Sequence, residues 1–340
     1  MNDASPPEAS PLETSQQQFA DAVPFRVLDS EMCPLSRAVG RTLFSDVVAP
    51  TDMPPYPRAI VEGFLVNTSE TEGASESSPQ SFKITGEVKP GDKQCPPVHA
   101  GQALRVSTGS IVDRNAPVSV VRMWEAQLQQ GNTLEITRPF PPRFFIEEQG
   151  CDLQKNAVAV KAGTALTPLD IGLIASLGIS QVKVSKHPDV TIFASGNEVV
   201  PYTDALQPGL IRDSNSIMLA AAVTQAGGNP HLAGIMRDDL DAFASAVSSV
   251  LHETDMVVIS GGTAAGGRDF IAELIKRLGQ LIIDGVPMRS GKPLIMGIAD
   301  DKPIVCVAGH PPEALRGFRL FGIPAIDRLA GKQAGLPVDE

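Results

Sequence analysis

The 340-residue chain has few cysteines, and the four it has, Cys33, Cys95, Cys151 and Cys306, are far apart. No two stand at metal-ligand spacing, so reduced, unlinked thiols and a cytoplasmic location are expected. Basic charge is also short: 28 Lys and Arg face 39 Asp and Glu, for a formal net charge of -11. A chain this acidic lacks the basic face that general binding to nucleic acid or to an anionic membrane requires. A few local cations can still hold a small anionic ligand. No apolar run is long enough to span a bilayer, and the Ser/Glu/Gln/Pro-rich start has neither part of a signal peptide. Residues 1–17 are therefore expected to be a disordered lead-in. The chain as a whole is 42% hydrophobic, ample for the cores of two or three domains.

From about Phe19 to Ser45 apolar positions stand at mixed helical spacing, and the prolines of "APTDMPPYPR" then end any helix. Short strands follow, "GFLVN", "SFKITGEV", "QALRVSTGS", "PVSVVRMWEAQ" and "TLEITRPF", which predicts a β-rich domain over 54–141. Within it "SETEGASESSPQS" reads as an exposed, mobile loop. From Val190 the pattern changes to apolar strands alternating with amphipathic helices, the signature of a parallel sheet with helices on both faces. Ligands of such sheets bind beyond the carboxyl ends of the strands. Three loops stand there: "ASGNE", "SGGTAAGGRD" and "AGHPPEA".

The second of these puts bare backbone directly after the apolar run "DMVVI". Where Cβ atoms are missing an anion can approach backbone N–H groups closely, so Ser260, Gly261, Gly262 and Gly266 are candidates for a phosphate or oxyanion cradle. A plain glycine-rich connection between strand and helix would look the same. Asp238 and Asp239 after one strand, and Asp269 at the end of the glycine loop, suit either a hard cation held against phosphates or helix capping. Arg289 and Lys292 flank a turn in "MRSGKP", where a guanidinium and an ammonium can grip oxyanion oxygens. A solvated basic loop is the other reading. His310 has no partner at ligand spacing and reads as a backbone turn position.

Several segments, in order, resemble the MoeA and gephyrin E-domain family, the molybdopterin molybdenumtransferases. They are "AVGRTLFSDVVAPTDMPPYPRAIVEGFLV", "VSTGSIV", "GCDLQKNAVAVKAGTALTPLDIGLIASLGI", "IFASGNEVV", "GLIRDSN", "RDDLDAF", "VVISGGTAAGGRDF" and "VPMRSGKPLIMG". The resemblance runs from about residue 18 to about residue 328. It implies an α/β fold: a three-layer parallel-sheet domain for the molybdopterin nucleotide (185–328), the β-rich insertion, and a helical and extended linker domain (18–53 and 142–184), with 329–340 a tail. The family also has a small C-terminal barrel, for which the residues after "RLFGIPAIDRL" leave no room.

The implied activity is insertion of molybdate into adenylylated molybdopterin with Mg²⁺ present and AMP released. Motif matching gives catalytic roles to Glu62, Asp152, Asp269, Arg289 and Lys292, and Mg²⁺ to Asp238 and Asp269. It gives nucleotide contacts to Thr108, Ser195, Gly196, Glu198, Ser260, Gly261, Gly262, Gly266 and Gly309. A homodimer and an upstream molybdopterin adenylyltransferase are the implied partners. The family's Asp-Gly-Tyr is here Glu62-Gly63-Phe64, and a family serine is replaced by Glu313, which either faces molybdate or points to solvent or pairs with a cation such as Arg316. These departures leave a second reading open, a non-catalytic carrier of molybdopterin on the same scaffold.

Overall fold

The computed structural model describes residues 10–262, 267–286 and 291–332. The chain divides into two compact units, one formed by Met1–Ser45, Lys161–Gly172 and Ile179–Glu340, the other by Asp46–Val160 and Leu173–Gly178.

The first unit is built on six strands, β1 (Asp189–Ser195), β2 (Asn229–Met236), β3 (Met256–Ser260), β4 (Gln280–Asp284), β5 (Ile295–Ala299) and β6 (Lys302–Val307), in the order β2-β1-β3-β6-β5-β4. Adjacent residues in these strands serve opposite faces. Val190, Ile192, Met256, Val258, Val305 and Val307 enter one core, which is covered by α1 (Asn215–Gln225) and the C-terminal segments around Phe318 and Ile326. Phe193, Val257, Ile259, Ile304 and Cys306 enter the other, beneath α2 (Leu240–Val250) and α3 (Gly267–Leu278). The central strands are apolar at nearly every position because both faces are covered, as the run "MVVIS" shows. Burial also pushes the Cys306 thiol well above its usual range, so it stays protonated and inert.

The expected strand–helix alternation gives β2, β1, β3 and β6 running parallel, but β5 runs antiparallel to both its neighbours. The cause is local. Asp300 and Asp301, at φ of 50° and 59°, make a two-residue turn between β5 and β6, and so tight a connection can only join antiparallel strands.

Residues 11–17, expected to be disordered, are helical. Pro11–Ala22 is started by a capping box in which the Ser10 hydroxyl accepts from Glu13 N–H and the Glu13 carboxylate accepts from Ser10 N–H. Phe19 then sits edge-on to Phe25 and Phe321, with centroids 6.4 and 6.1 Å away, inside the first core. Burial of that ring, absent from any composition argument, is what orders the segment.

The second unit carries a six-stranded sheet in the order Val118–Arg122, Gly63–Asn67, Gln102–Val106, Gln80–Val88, Thr133–Ile136, Gln127–Gln129. It is antiparallel except where Gln80–Val88 meets Gln102–Val106. Phe64, Phe82 and Leu134 fill one side, Leu65, Leu104 and Val120 the other. The segment 69–81, expected to be a mobile loop, is held at one end by Thr71. That residue is fully buried, and its hydroxyl accepts from Phe140 N–H at 3.0 Å while lying 2.8 Å from the Thr68 carbonyl.

Just ahead of β3, Thr254 is buried, and its hydroxyl accepts from Thr191 N–H at 3.1 Å while facing the carbonyls of Asp189 and Met256. Thr254→Val keeps the shape and strands the Thr191 N–H. It should lower the unfolding free energy by about 1–3 kcal/mol. Denaturant unfolding of parent and variant checks this, and an unchanged midpoint contradicts it.

Candidate functional site

Strands β2, β1, β3 and β6 point the same way, so the turns that follow them collect at one edge of the sheet. After β3 the chain turns through Gly261 and Gly262, both at positive φ (96° and 66°). A Cβ on Gly261 would stand 2.4 Å from the Ser195 carbonyl oxygen at the end of β1, a contact no side chain can make. Gly309, after β6, lies against the same place, where an added Cβ would be 3.7 Å from Gly261 Cα. At Gly261 glycine is therefore required by close packing of backbone on backbone, whereas Gly309 has room for a Cβ.

A polar floor lies beneath these turns. Asn215, at the start of α1, donates from Nδ2 to Ser260 Oγ and to the Gly309 carbonyl, both at 2.8 Å. Its Oδ1 has no hydrogen-bond partner among the described residues, nor do Ser195 Oγ and Ser216 Oγ, and all three residues are buried. An unpaired buried polar group costs about 1–3 kcal/mol, a cost that a polar partner reaching these atoms would recover.

Alongside, the turn Gly196-Asn197-Glu198 is braced from β2. Asn197 Nδ2 donates to Asp238 Oδ2 at 2.7 Å, Asp238 N–H donates back to Asn197 Oδ1 at 3.3 Å, and the Arg237 guanidinium donates to the Asn197 carbonyl. The adjacent aspartates divide their work. Asp239 is the N-cap of α2, accepting from Ala242 N–H at 3.0 Å, which leaves Asp238 exposed and turned to the glycine turn. Asp269 is exposed in the first turn of α3, where a carboxylate also favours the helix dipole. Glu198 and Lys292 are exposed as well. Gly266 and Arg289 lie outside the described residues. His310 is the N-cap residue of the short helix Pro311–Gly317 and makes no side-chain cap bond, and Glu313 falls in that helix's first turn.

Thus Ser195, Gly196, Glu198, Asp238, Ser260, Gly261, Gly262 and Gly309 all belong to one edge of one sheet. Among the described residues no three His, Cys, Asp or Glu form a group able to hold a metal. Asn197, Asn215, Ser216 and Arg237, which support the edge, carry no role in the sequence reading. The one available signal was the polar run "RDSNS" opening an otherwise apolar helix.

Glu62, Thr108 and Asp152 belong to the second unit and are exposed there. Glu62 immediately precedes the strand Gly63–Asn67, and its carbonyl accepts from Met123 N–H at 3.3 Å. Thr108 rides a turn in which Ser110 N–H donates to the Ser107 carbonyl at 3.0 Å and Gly109 takes φ 88°. Asp152 rides a loop organised by Asp52, whose two oxygens accept from Lys155 N–H at 2.8 Å and Gln149 Nε2 at 2.7 Å. The Lys155 N–H, then the Gln149 amide, hold the Asp52 carboxyl below its ordinary value.

Because that value is depressed in the folded state, the bracing is complete above the ordinary carboxylate range and is lost as pH falls through the folded value. Amide exchange of residues 149–155, corrected for intrinsic rates, should therefore speed up in acid in the parent. In Asp52→Ala it should be fast already at neutral pH. Equal protection of that loop in both proteins at neutral pH would contradict the bracing role.

Residues 10–178 match the family model for the MoeA N-terminal region (domain I and II), and residues 191–328 match that for a probable molybdopterin binding domain. The chain is 28% identical over 298 residues to a molybdopterin molybdenumtransferase of Staphylococcus aureus, covering 87% of this chain and 71% of the relative. It is 28% identical over 304 residues to that of Staphylococcus epidermidis, covering 89% and 72%. Among solved structures, a molybdopterin biosynthesis MoeA protein from Pyrococcus horikoshii superposes with a TM-score of 0.77 at 30% identity, covering 96% of this chain and 81% of that one. A second structure of a MoeA protein from that organism gives 0.80 at 27%, covering 96% and 80%. With both family models matched in series and a solved relative aligned over most of its length, the chain belongs to the MoeA family.

Proposed function

We propose that this protein inserts molybdate into adenylylated molybdopterin with Mg²⁺ present and AMP released, and that the sheet edge at Ser195, Ser260 and Gly309 holds the nucleotide. The observation that carries this reading is the set of buried polar atoms left unpaired under the glycine turns, Ser195 Oγ and Asn215 Oδ1 above all. Phosphate oxygens accept from a hydroxyl, and a ligand hydroxyl donates to an amide oxygen. The relatives named as molybdopterin molybdenumtransferases support the chemistry.

In this reading Asp238 and Asp269 hold Mg²⁺. Two carboxylates suffice, since Mg²⁺ commonly takes one or two from the protein and fills its octahedron with phosphate oxygens and water. When bound, the ion neutralises charge that develops on the phosphate as AMP leaves. Asn197 fixes the Asp238 carboxylate through the 2.7 Å bond, so the ligand oxygen is pre-aimed. Lys292, with Arg289, supplies positive charge for the anionic substrates. The catalytic roles assigned to Glu62 and Asp152 and the nucleotide contact assigned to Thr108 rest on the family resemblance, and Glu62→Gln in the assay below tests the first of them. We further infer a homodimer supplied by an adenylyltransferase that makes the activated pterin.

Asp238→Asn and Asp269→Asn should each slow Mg²⁺-dependent AMP release at least tenfold while the unfolding midpoint stays put, because both residues are exposed. AMP release and metal insertion, followed together on purified protein, decide the matter. Tight binding of the adenylylated pterin with no AMP release would favour a carrier instead, and parental rates in both variants would remove the metal assignment.

A further inference from the structure

The β-rich unit carries a cleft of about 360 Å³ that no role assigned above uses. Its volume falls in the range of pockets that take small organic ligands. Its lining includes Phe64, Ile84, Thr85, Glu87, Arg105 and Leu128, all on the six-stranded sheet of that unit. The sheet is irregular at this place. Ile84 pairs with Ala103 and Gly86 with Leu104, so Thr85 is an extra residue, a bulge in the strand Gln80–Val88. Asn132 pins the spot from the neighbouring turn: its Nδ2 donates to the Ile84 carbonyl at 2.8 Å, and its own carbonyl accepts from Ile84 N–H at 2.9 Å. The Ile84 wall is therefore held in the free protein. The charges beside it are unevenly matched. Arg105 is exposed, and its guanidinium makes no hydrogen bond or ion pair among the described residues. One strand neighbour of Arg105 is Phe64, whose ring carries no polar acceptor. The other is Glu87, which engages Lys89 at 3.4 Å instead. An unpaired cation thus lines the cleft together with Leu128, 60% exposed, and half-buried Ile84.

We propose that this cleft of the β-rich unit binds a small organic monoanion, a single carboxylate on a compact apolar body, with Arg105 as its anchor. A guanidinium receives a carboxylate through two parallel N–H···O bonds, and Arg105 has its donors free to make them. The body of the ligand covers Leu128 and Ile84 and so removes apolar surface from water. The lining balances one negative charge and no more. Glu87 stands in the same row, and a second charge on the ligand would meet its carboxylate, so a phosphate monoester is disfavoured. A neutral ligand of the same shape gains the apolar contact alone.

The probe is 4-(trifluoromethyl)benzoate, ionised at neutral pH and followed by fluorine NMR as full-length protein is added. Its binding should saturate, and the neutral 4-(trifluoromethyl)benzamide should bind about tenfold more weakly or worse. Arg105→Gln should weaken binding of the benzoate by about tenfold or more, with Arg105→Lys, which keeps the charge and loses the fork, in between. Leu128→Ser should weaken it by about threefold or more. Both positions are exposed, so the thermal midpoint should stay at the parental value in each variant. Lys292→Ala, which removes a cation offered to the anionic substrates in the other unit, should leave binding within about twofold. Benzoate binding that survives in Arg105→Gln, or that the benzamide equals, overturns the assignment. A loss confined to Lys292→Ala overturns it too, because the probe would then be reading the glycine edge. None of these outcomes depends on the reaction the protein performs.

Discussion

The Ser195 carbonyl oxygen and the Gly261 Cα are packed so closely that a single added carbon would stand 2.4 Å from that oxygen. Two adjacent parallel strands end together at this point, and the contact fixes how far each chain runs before it turns. Everything at the edge follows from it. The β3 turn takes positive φ at Gly261 and Gly262, a conformation that favours glycine. Asn215 reaches across to Ser260 and Gly309 because those backbones are brought together. The floor is consequently polar, buried and short of partners, a condition a folded chain tolerates where a ligand completes it.

The second dependence is electrostatic. In a protein of net charge -11, a carboxylate aimed at an anionic substrate would repel it unless a cation intervenes. Asp238 is nevertheless held in place by Asn197, while the neighbouring Asp239 does the capping. The pair braces the Gly196-Asn197-Glu198 turn, while an exposed polar contact of this kind contributes little to global stability. The arrangement suits the cation site proposed above, in which Asp238 and Asp269 would share the ion with the substrate phosphates.

Much of this was legible in the sequence because it is local. The strands of the β-rich unit announced themselves by short apolar runs at even spacing between turn residues, as "GFLVN" did for Gly63–Asn67. The glycine loop and its place after an apolar strand were equally plain. What stayed hidden depends on partners distant in sequence. Asn197 and Asn215 look like loop and helix-start residues until the strand order brings Asp238 and Gly309 beside them. The reversal of β5 turns on an Asp300-Asp301 turn, a weaker signal than Asn-Gly, and the helix at Pro11 on a Phe19 whose cover comes from Phe321. Choosing Asp239 over Asp238 as the cap needed a one-residue boundary, the least certain element of any reading from pattern.

The central claim is that the unpaired polar floor exists for a ligand. Ser195→Ala tests it, because that hydroxyl is buried and has no described partner to lose. Thermal unfolding of the free variant and calorimetric titration with adenylylated molybdopterin should be run side by side. The account predicts that stability stays equal or rises by about 1 kcal/mol, while affinity falls roughly fivefold or more. A clear loss of stability with parental affinity would show that Ser195 serves the fold and that the floor is no binding site.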